Sequence, residues 1–259
     1  MRFASVLTTS LLAVTACATT PTEDASPTAV YDPWEGFNRQ IYAFNDGVDQ
    51  AVLEPVAKGY RAVTNEPVRG GVSNFLTNLN QPVVFANTVL QGKPGAAIDT
   101  ATRFAVNSTV GLAGILDVAT SLDVPQHRED FGQTLGVWGV PNGPYIVLPF
   151  LGSSNVRDTV GFGVDIAFDP LNYAQFEGDN EFLITRQVVG VVSARESVIE
   201  AVEVLRDQPE PYVALRRLYT QQRAAAIRDG REQEDPFEDL PDFDDYDFGD
   251  EEEFESQEE

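Results

Sequence analysis

The chain has 259 residues, a net charge of −24, one cysteine and one histidine. This length allows one large domain or two small ones, and the acidic balance disfavours nucleic acid as a partner, because phosphate groups are repelled. A single cysteine excludes an intramolecular disulfide, and one histidine with one cysteine gives no His or Cys spacing that suits a metal site.

The N-terminus has the pattern of a secretory signal that ends in a lipidation site. Arg2 precedes a short apolar stretch, residues 6–14, whereas a bilayer span needs ~20 apolar residues. The order Val14-Thr15-Ala16-Cys17 resembles a bacterial lipobox. We therefore expect residues 1–16 to be a signal peptide and Cys17 to carry acyl chains such as palmitate. The alternative is a plain secreted protein with an unpaired thiol.

The residues after Cys17 predict a tether and a destination. Residues 17–30 are polar and contain proline, which is typical of a flexible linker. Several acyl chains on one cysteine would give permanent anchoring, because each buried CH₂ contributes ~0.8 kcal/mol. Ala18 stands where lipoprotein sorting uses Asp for inner-membrane retention, so this position favours the outer membrane.

Helical patterns follow in the first half of the chain. Asp32-Pro33-Trp34-Glu35 predicts a helix start with Asp32 as N-cap. Residues 67–90 predict two short helices hinged at Gln81-Pro82. Residues 96–117 predict one further helix, with apolar side chains at helical spacing.

The middle of the chain is poor in charge. Residues 70–168 contain 11 charged residues in 99 positions, and residues 70–92 and 131–156 contain none. Both uncharged runs are too polar, or too rich in Gly and Pro, to be simple transmembrane helices. An interfacial or re-entrant position in a membrane and a buried core fit this composition equally well.

The second half predicts one short strand and two more helices. Tyr145–Leu148 has the strongest strand signal. Residues 181–206 predict a long amphipathic helix. Residues 211–227 predict another helix, and the polar side of this segment is basic because of Arg216, Arg217, Arg223 and Arg228.

The C-terminal tail is the main source of the negative charge. Residues 234–259 hold fifteen Asp or Glu and no Lys or Arg, with five aromatic residues between them. We expect residues 231–259 to be a disordered, solvated tail. The alternative is an acidic and aromatic strip that docks on a basic partner.

The sequence predicts no enzyme and no cofactor. His127 stands beside charged residues and has the pattern of a surface residue rather than a catalytic base. Glu129 and Asp130 are adjacent, so they make a poor acid/base pair. The sequence also contains no nucleophile elbow and no phosphate-binding glycine loop.

The motifs along most of the chain resemble one family, the MlaA (VacJ) lipoproteins. The resemblance covers about residues 31–225 and predicts one domain over residues 31–230. The acidic tail lies outside it. The segments that carry the resemblance are Asp32-Pro-Trp-Glu-Gly-Phe-Asn-Arg39, Val72-Ser-Asn-Phe-Leu-Thr-Asn-Leu79, residues 107–117, Glu129-Asp-Phe-Gly-Gln-Thr-Leu-Gly136 and Arg157-Asp158.

The resemblance implies a fold and a function. Members of the family are mainly α, with little or no β. Their amphipathic helices form a ring around a central channel in the inner leaflet of the outer membrane. They remove misplaced phospholipid from the outer leaflet and pass it to a periplasmic carrier of the Mla system, and they are often bound to a trimeric porin. The location implied is the periplasmic side of the outer membrane. The alternative function is a structural envelope lipoprotein that acts through its acidic tail.

The resemblance also gives the polar residues of the middle region a candidate role. We expect channel-lining side chains among them, although each could equally be a helix cap or a hydrogen-bonded core amide. The candidates are Asn74, Asn78, Asn87, Arg103 and Asn107. A gate is expected in the Gly/Pro-rich stretch 132–152, with candidate hinges at Gly132, Gly136, Gly139 and Gly143.

Overall fold

A computed structural model describes residues 30–229. Cys17, the predicted signal peptide, residues 17–29 of the predicted tether and the acidic tail lie outside the described residues. The elements are α1 (Glu35–Val48), a π-helical turn (Asp49–Leu53), α2 (Glu54–Val63), α3 (Glu66–Leu90), α4 (Pro94–Thr109), α5 (Val118–Ser121), α6 (Phe131–Val137), β1 (Tyr145–Leu148), β2 (Gly152–Asn155), α7 (Val156–Phe168), a 3₁₀ turn (Pro170–Tyr173), α8 (Asp179–Ser197), α9 (Ile199–Arg206) and α10 (Pro211–Ile227). The prediction of a mainly α fold with little β is confirmed.

The β-hairpin is held along α1 by two asparagines. Asn38 donates to the Tyr145 carbonyl at 3.0 Å and accepts from the Val147 amide at 3.0 Å. Asn45, seven residues further along α1, donates to the Leu148 carbonyl and accepts from the Phe150 amide. These two side chains, two helical turns apart on α1, therefore satisfy backbone groups of β1 and of the turn after it that have no partner in β2. The strand at Tyr145–Leu148 is confirmed, whereas the polar sequence of β2 gave no strand signal.

The predicted N-cap at Asp32 is wrong. Helix α1 begins at Glu35 without a side-chain cap. The Asp32 carboxylate instead accepts from Asn38 at 2.8 Å and from Arg216 at 2.7 Å, and also from Tyr212. Asp32 thus ties the start of α1 to α10, because a charged partner from a distant helix outcompetes the local backbone amides.

Helix α3 runs without a break through Pro82, so the predicted hinge at Gln81-Pro82 is wrong. A proline inside a helix costs ~3 kcal/mol, and here tertiary packing compensates for it. The residues around Pro82 are buried, and α3 makes its most extensive contact with α4. Asn65 caps the N-terminus of α3 by accepting from the Val68 amide at 3.1 Å.

Two other predicted helices are shorter than expected. The helix predicted over 96–117 ends at Thr109, since Leu112, Ala113 and Gly114 all have positive φ. The helix predicted over 181–206 divides at Val198 into α8 and α9. By contrast, the helix predicted over 211–227 is α10, with the same bounds.

The usual pattern of burial, with apolar side chains inside and polar ones outside, is reversed in the described residues, and we call this inverted burial. Among the described residues, nineteen buried side chains are polar or charged and nine are apolar, whereas buried residues are mostly apolar in a water-soluble domain. Large apolar side chains of the charge-poor middle are exposed instead, among them Phe104, Leu112, Leu116, Phe150, Leu151 and Phe162. The charge-poor composition therefore does not reflect a buried apolar core. Within residues 30–229, no helix combines the length and apolar character needed to cross a membrane.

Candidate functional site

Two cavities of opposite polarity lie on either side of α3. The first, which we call the polar cleft, has a volume of about 810 Å³ and lies between α3, residues 126–130 and the C-terminal half of α8. Side chains from α3 line it at helical spacing. The polar lining residues are Glu66, Arg69, Ser73, Thr77, Asn80, Gln81, Gln126, His127, Arg128, Glu129, Asp130, Ser193, Glu196 and Ser197.

The second cavity, which we call the apolar pocket, has a volume of about 610 Å³. It lies between the N-terminal halves of α3 and α8 and the turn that contains Ile115. Leu76 lines both cavities, and the consecutive residues Val189 and Gly190 of α8 line the pocket and the cleft respectively. The other lining residues are Asn65, Pro67, Val68, Gly71, Val72, Phe75, Phe182, Thr185 and Arg186. We call the boundary between the two cavities the α3–α8 seam.

The wall of the polar cleft is fixed by ion pairs from α2 to α8. The Glu196 carboxylate accepts from Arg61 at 2.7 Å and lies 3.2 Å from the Arg69 guanidinium. At the preceding position of α8, Arg195 donates to Asp49 at 2.7 and 2.9 Å. Sequence reasoning missed these residues, because nothing local links an arginine of α2 to a glutamate 135 positions away.

Four of the five predicted lining residues meet in one small polar cavity beside the cleft. Asn74, Asn78, Arg103 and Asn107 line it together with Asp117. Thr77, Gln81 and Gln126 line both this cavity and the polar cleft.

Hydrogen bonds account for most polar atoms of this group. Arg103 donates to both oxygens of Asp117 at 2.7 Å. Asn107 donates to Asp117 at 3.0 Å and accepts from the Ala119 amide at 2.9 Å. Asn78 donates to Ser108 at 2.9 Å. These bonds hold residues 110–120 against α3 and α4, as core amides would, and a contact with a channel ligand stays a prediction.

Asn87, the fifth candidate, lies apart from the other four. It donates to Asp165 at 2.8 Å and accepts from the Thr134 hydroxyl at 2.9 Å. Asp165 also accepts from the Phe131 amide at 3.0 Å. Burial raises the pKa of Asp165, although these hydrogen bonds oppose the rise. Asn87 thus connects α3 to α6 and α7, and its role as a lining residue stays a prediction.

The candidate hinge glycines occupy two kinds of position. Gly132 and Gly136 lie inside α6 and permit close packing. A Cβ on Gly132 would lie 2.6 Å from Asp158 Oδ1, and one on Gly136 would lie 2.8 Å from Ile227. Gly139 and Gly143 have positive φ, +87° and +68°, in the turn before β1. The hinge role of all four stays a prediction.

A cluster of buried and half-buried ion pairs joins α6, α7 and α10, and we call it the Arg223 cluster. Arg223 donates to both oxygens of Asp130 at 2.5 Å and to Asp158 at 2.7 Å. Asp158 also accepts from Arg157, Asn155 and Tyr219. Burial raises the pKa of Asp130, but hydrogen bonds and charge from Arg223 outweigh it, so this pKa is lowered. The motif residues Asp130, Arg157 and Asp158 are therefore brought together here.

His127 lies in the wall of the polar cleft, 3.0 Å from the Asp99 carboxylate. Neighbouring Glu129 accepts from Gln91 at 2.9 Å and from Lys93 at 3.1 Å. In the part of the chain that the structure describes, no group of His, Cys, Asp and Glu side chains is arranged to hold a metal ion.

Comparison with known proteins gives one consistent family. The model of the MlaA lipoprotein family matches residues 30–226. Over 211 residues the chain is 35% identical to the intermembrane phospholipid transport system lipoprotein MlaA of Escherichia coli K12, covering 79% of this chain and 82% of that protein. An uncharacterized protein of Rickettsia felis is 36% identical over 201 residues, 77% of this chain and 79% of its own length.

A solved structure has the same fold. It was reported as the structural basis for maintenance of bacterial outer membrane lipid asymmetry. It matches with a TM-score of 0.67 and 34% identity, and the match covers 76% of this chain and 98% of that one.

Proposed function

Because the chain belongs to the MlaA lipoprotein family, we propose that it transports phospholipid between membranes. It removes misplaced phospholipid from the outer leaflet of the outer membrane and passes it to a periplasmic carrier of the Mla system. This transfer keeps the two leaflets different in composition. The observation that carries the proposal is the pair of cavities, one polar and one apolar, on either side of α3.

The inverted burial supports a position within the membrane. Exposed apolar side chains on α4, α7 and the turns beside them would contact acyl chains, and the polar interior would face the transported headgroup. A ring of helices in the inner leaflet fits this distribution. Lipidation at Cys17 anchors the domain, residues 31–230, on the periplasmic side through the tether, after removal of residues 1–16. A trimeric porin covers part of the apolar surface.

The mechanism needs no covalent step. A charged headgroup that crosses hydrocarbon unaided meets a barrier of several kcal/mol or more. The polar cleft lowers this barrier because hydroxyl, amide and charged groups replace part of the headgroup's water. Direction comes from the carrier, which withdraws lipid. We therefore propose a transporter rather than an enzyme, with the His127 ring in the cleft wall held 3.0 Å from the Asp99 carboxylate.

The test is the amount of phospholipid on the cell surface. A deletion strain should show more outer-leaflet phospholipid than its parent when intact cells are labelled with a membrane-impermeant amine reagent. The full chain should reverse this increase, whereas Cys17→Ala should mislocalise and fail to reverse it. An unchanged surface level in the deletion strain contradicts the proposal.

A second experiment distinguishes phospholipid transport from a structural role of the acidic tail. A chain that ends at residue 230 should still restore the surface level, because the family match ends at residue 226. Loss of function in this truncated chain, together with normal function of variants in the cleft, would favour a bridging role of the tail.

A further inference from the structure

We propose that a phospholipid is held across the α3–α8 seam, with its phosphate on Arg128 in the polar cleft and one acyl chain in the apolar pocket. This inference rests on the proposed function. It goes further by naming where along the transport path a phospholipid is held, with one subsite for the phosphate and one for an acyl chain.

Arg128 differs from the other cations around the polar cleft. Arg69 faces Glu196, and Lys93 at the margin faces Glu129. The carboxylates beside Arg128 are engaged as well, Glu129 by Lys93 and Asp130 by Arg223. Among the described residues that line the cleft, Arg128 is the cation that no carboxylate neutralises, and it is exposed. A guanidinium in this state can bind a phosphate group through two parallel hydrogen bonds.

The apolar pocket suits a hydrocarbon chain and not a headgroup. Its walls are mainly the side chains of Val68, Val72, Phe75, Phe182 and Val189. The one charged side chain in its lining, Arg186, already pairs with Asp169 at 2.5 Å. A pocket of about 610 Å³ lies in the range of small-molecule sites, and covering its apolar walls with hydrocarbon is favourable.

The two subsites are close enough for one molecule. Leu76 lines both cavities, and Gln81, five residues further along α3, lines the same cleft as Arg128. Five helical residues span about 7.5 Å. A lipid whose phosphate lies near Gln81 therefore has its glycerol near Leu76 and one chain in the pocket. The opposite polarity of the two cavities suits an amphiphile as the single occupant.

The first experiment locates the acyl chain. Purified full chain in detergent micelles is incubated with phosphatidylethanolamine that carries a diazirine midway along one chain, and crosslinked peptides are identified by mass spectrometry. Crosslinks are expected on residues 68–76 of α3 and at Phe182 or Val189. Crosslinks confined to the exposed face of α7 would overturn the proposal.

Matched variants test each subsite. Val189→Trp fills the apolar pocket and should reduce crosslinking to α3 about tenfold, whereas Val188→Trp, at a side chain that is 58% exposed on the same helix, should leave it unchanged. Arg128→Gln should lower the amount of phosphatidylethanolamine that copurifies about tenfold. Arg217→Gln, on the exposed side of α10, should not lower it. Equal behaviour of both members of each pair would overturn the assignment, and circular dichroism confirms that each variant is folded.

Failure of the function and failure of this inference give different results. If the chain neither binds phospholipid nor corrects the deletion strain, the proposed function fails. If it does both, but Arg128→Gln and Val189→Trp match the wild type and the crosslinks lie elsewhere, only the two-subsite arrangement fails.

Discussion

The Arg223 cluster and the α3–α8 seam bring helices together in opposite ways. In the cluster, glycines let α6 and α7 approach closely, and one guanidinium neutralises two carboxylates. At the seam, the same kinds of helix leave two cavities on either side of Leu76. The ion pairs of Glu196 hold the margin of the seam and leave its centre open. Stability and transport are therefore assigned to different parts of one helical framework, and substitutions should separate the two properties.

The largest effect is expected from Arg223→Met. This change removes the Arg223 guanidinium from Asp130 and from Asp158, whose side chain is 7% exposed and keeps Arg157, Asn155 and Tyr219 as partners. Removal of one member of a buried ion pair typically costs about 3 kcal/mol or more. Urea denaturation followed by circular dichroism measures the loss. Arg217→Met on the exposed side of the same helix should change stability by less than about 0.5 kcal/mol, and an equal loss in both variants would contradict the assignment.

A smaller loss is expected from Gly132→Ala. The new methyl group would lie against the Arg223 guanidinium and 2.6 Å from Asp158 Oδ1, so α6 must move away from α7 and α10. Overpacking of this kind costs about 1–3 kcal/mol. The control is Gly163→Ala in α7, where a Cβ meets open space and helix propensity favours alanine by up to about 1 kcal/mol. A neutral Gly132→Ala would contradict the close packing of α6 that this position is expected to require.

The pH dependence of stability reports on Asp130 in the cluster. Because Arg223 lowers the folded-state pKa of this carboxyl below its ordinary value of 3.8, its contribution is fully present above that value. The contribution is lost as the pH falls through the lower, folded-state pKa. Thermal melts from pH 6 to pH 2 should show this loss. In Asp130→Asn the acid-dependent part should be smaller, and an identical pH profile in both proteins would exclude Asp130 as a source.

The smallest effect on stability, with a large effect on transport, is expected at the seam. A leucine at Gly190 would project into the polar cleft, where a Cβ meets no atom within 4 Å. Stability should stay the same or rise by up to about 1 kcal/mol, since glycine is a poor helix former. Transport, measured by surface labelling of phospholipid in a complemented deletion strain, should fall. Gly163→Leu is the matched control, and normal transport by Gly190→Leu would contradict the path along the seam.

Local sequence signals predicted the elements that depend on local chemistry. Pro211 at the first turn and the apolar spacing behind it gave the bounds of α10, and Tyr145–Leu148 was recognisable as a strand. Elements that depend on distant partners were not predictable. Pro82 breaks a helix in isolation but not when α4 packs beside it, and Asp32 caps a helix unless Arg216 and Tyr212 lie within reach.

The five predicted lining residues lie in the interior, and their role in lining a channel stays a prediction. The four asparagines and Arg103 are polar side chains of the interior, and four of these five residues are at most 6% exposed. Their hydrogen bonds, however, go mostly to Asp117, Ser108, Asp165 and Thr134. The residues that line the polar cleft, such as Arg69, Arg128 and Glu196, have no motif, because long-range ion pairing decides which charges are neutralised. A charged residue in a polar segment therefore indicates a binding site only when the structure shows whether an ion pair neutralises it.

Because buried side chains are mostly polar and large apolar ones are exposed, the stability of this protein should depend on its surroundings as well as on its own interior. A water-soluble domain obtains most of its hydrophobic stabilisation from its own interior. Here the large exposed apolar side chains outnumber the buried ones, and in the proposed position it is the surrounding lipid that removes them from water. The folding free energy is then shared between chain and bilayer, so it should vary with the thickness and composition of the membrane. In water, before the chain reaches the proposed position, the same surface would be an aggregation hazard, so we expect the exposed apolar side chains to need cover until the domain contacts lipid.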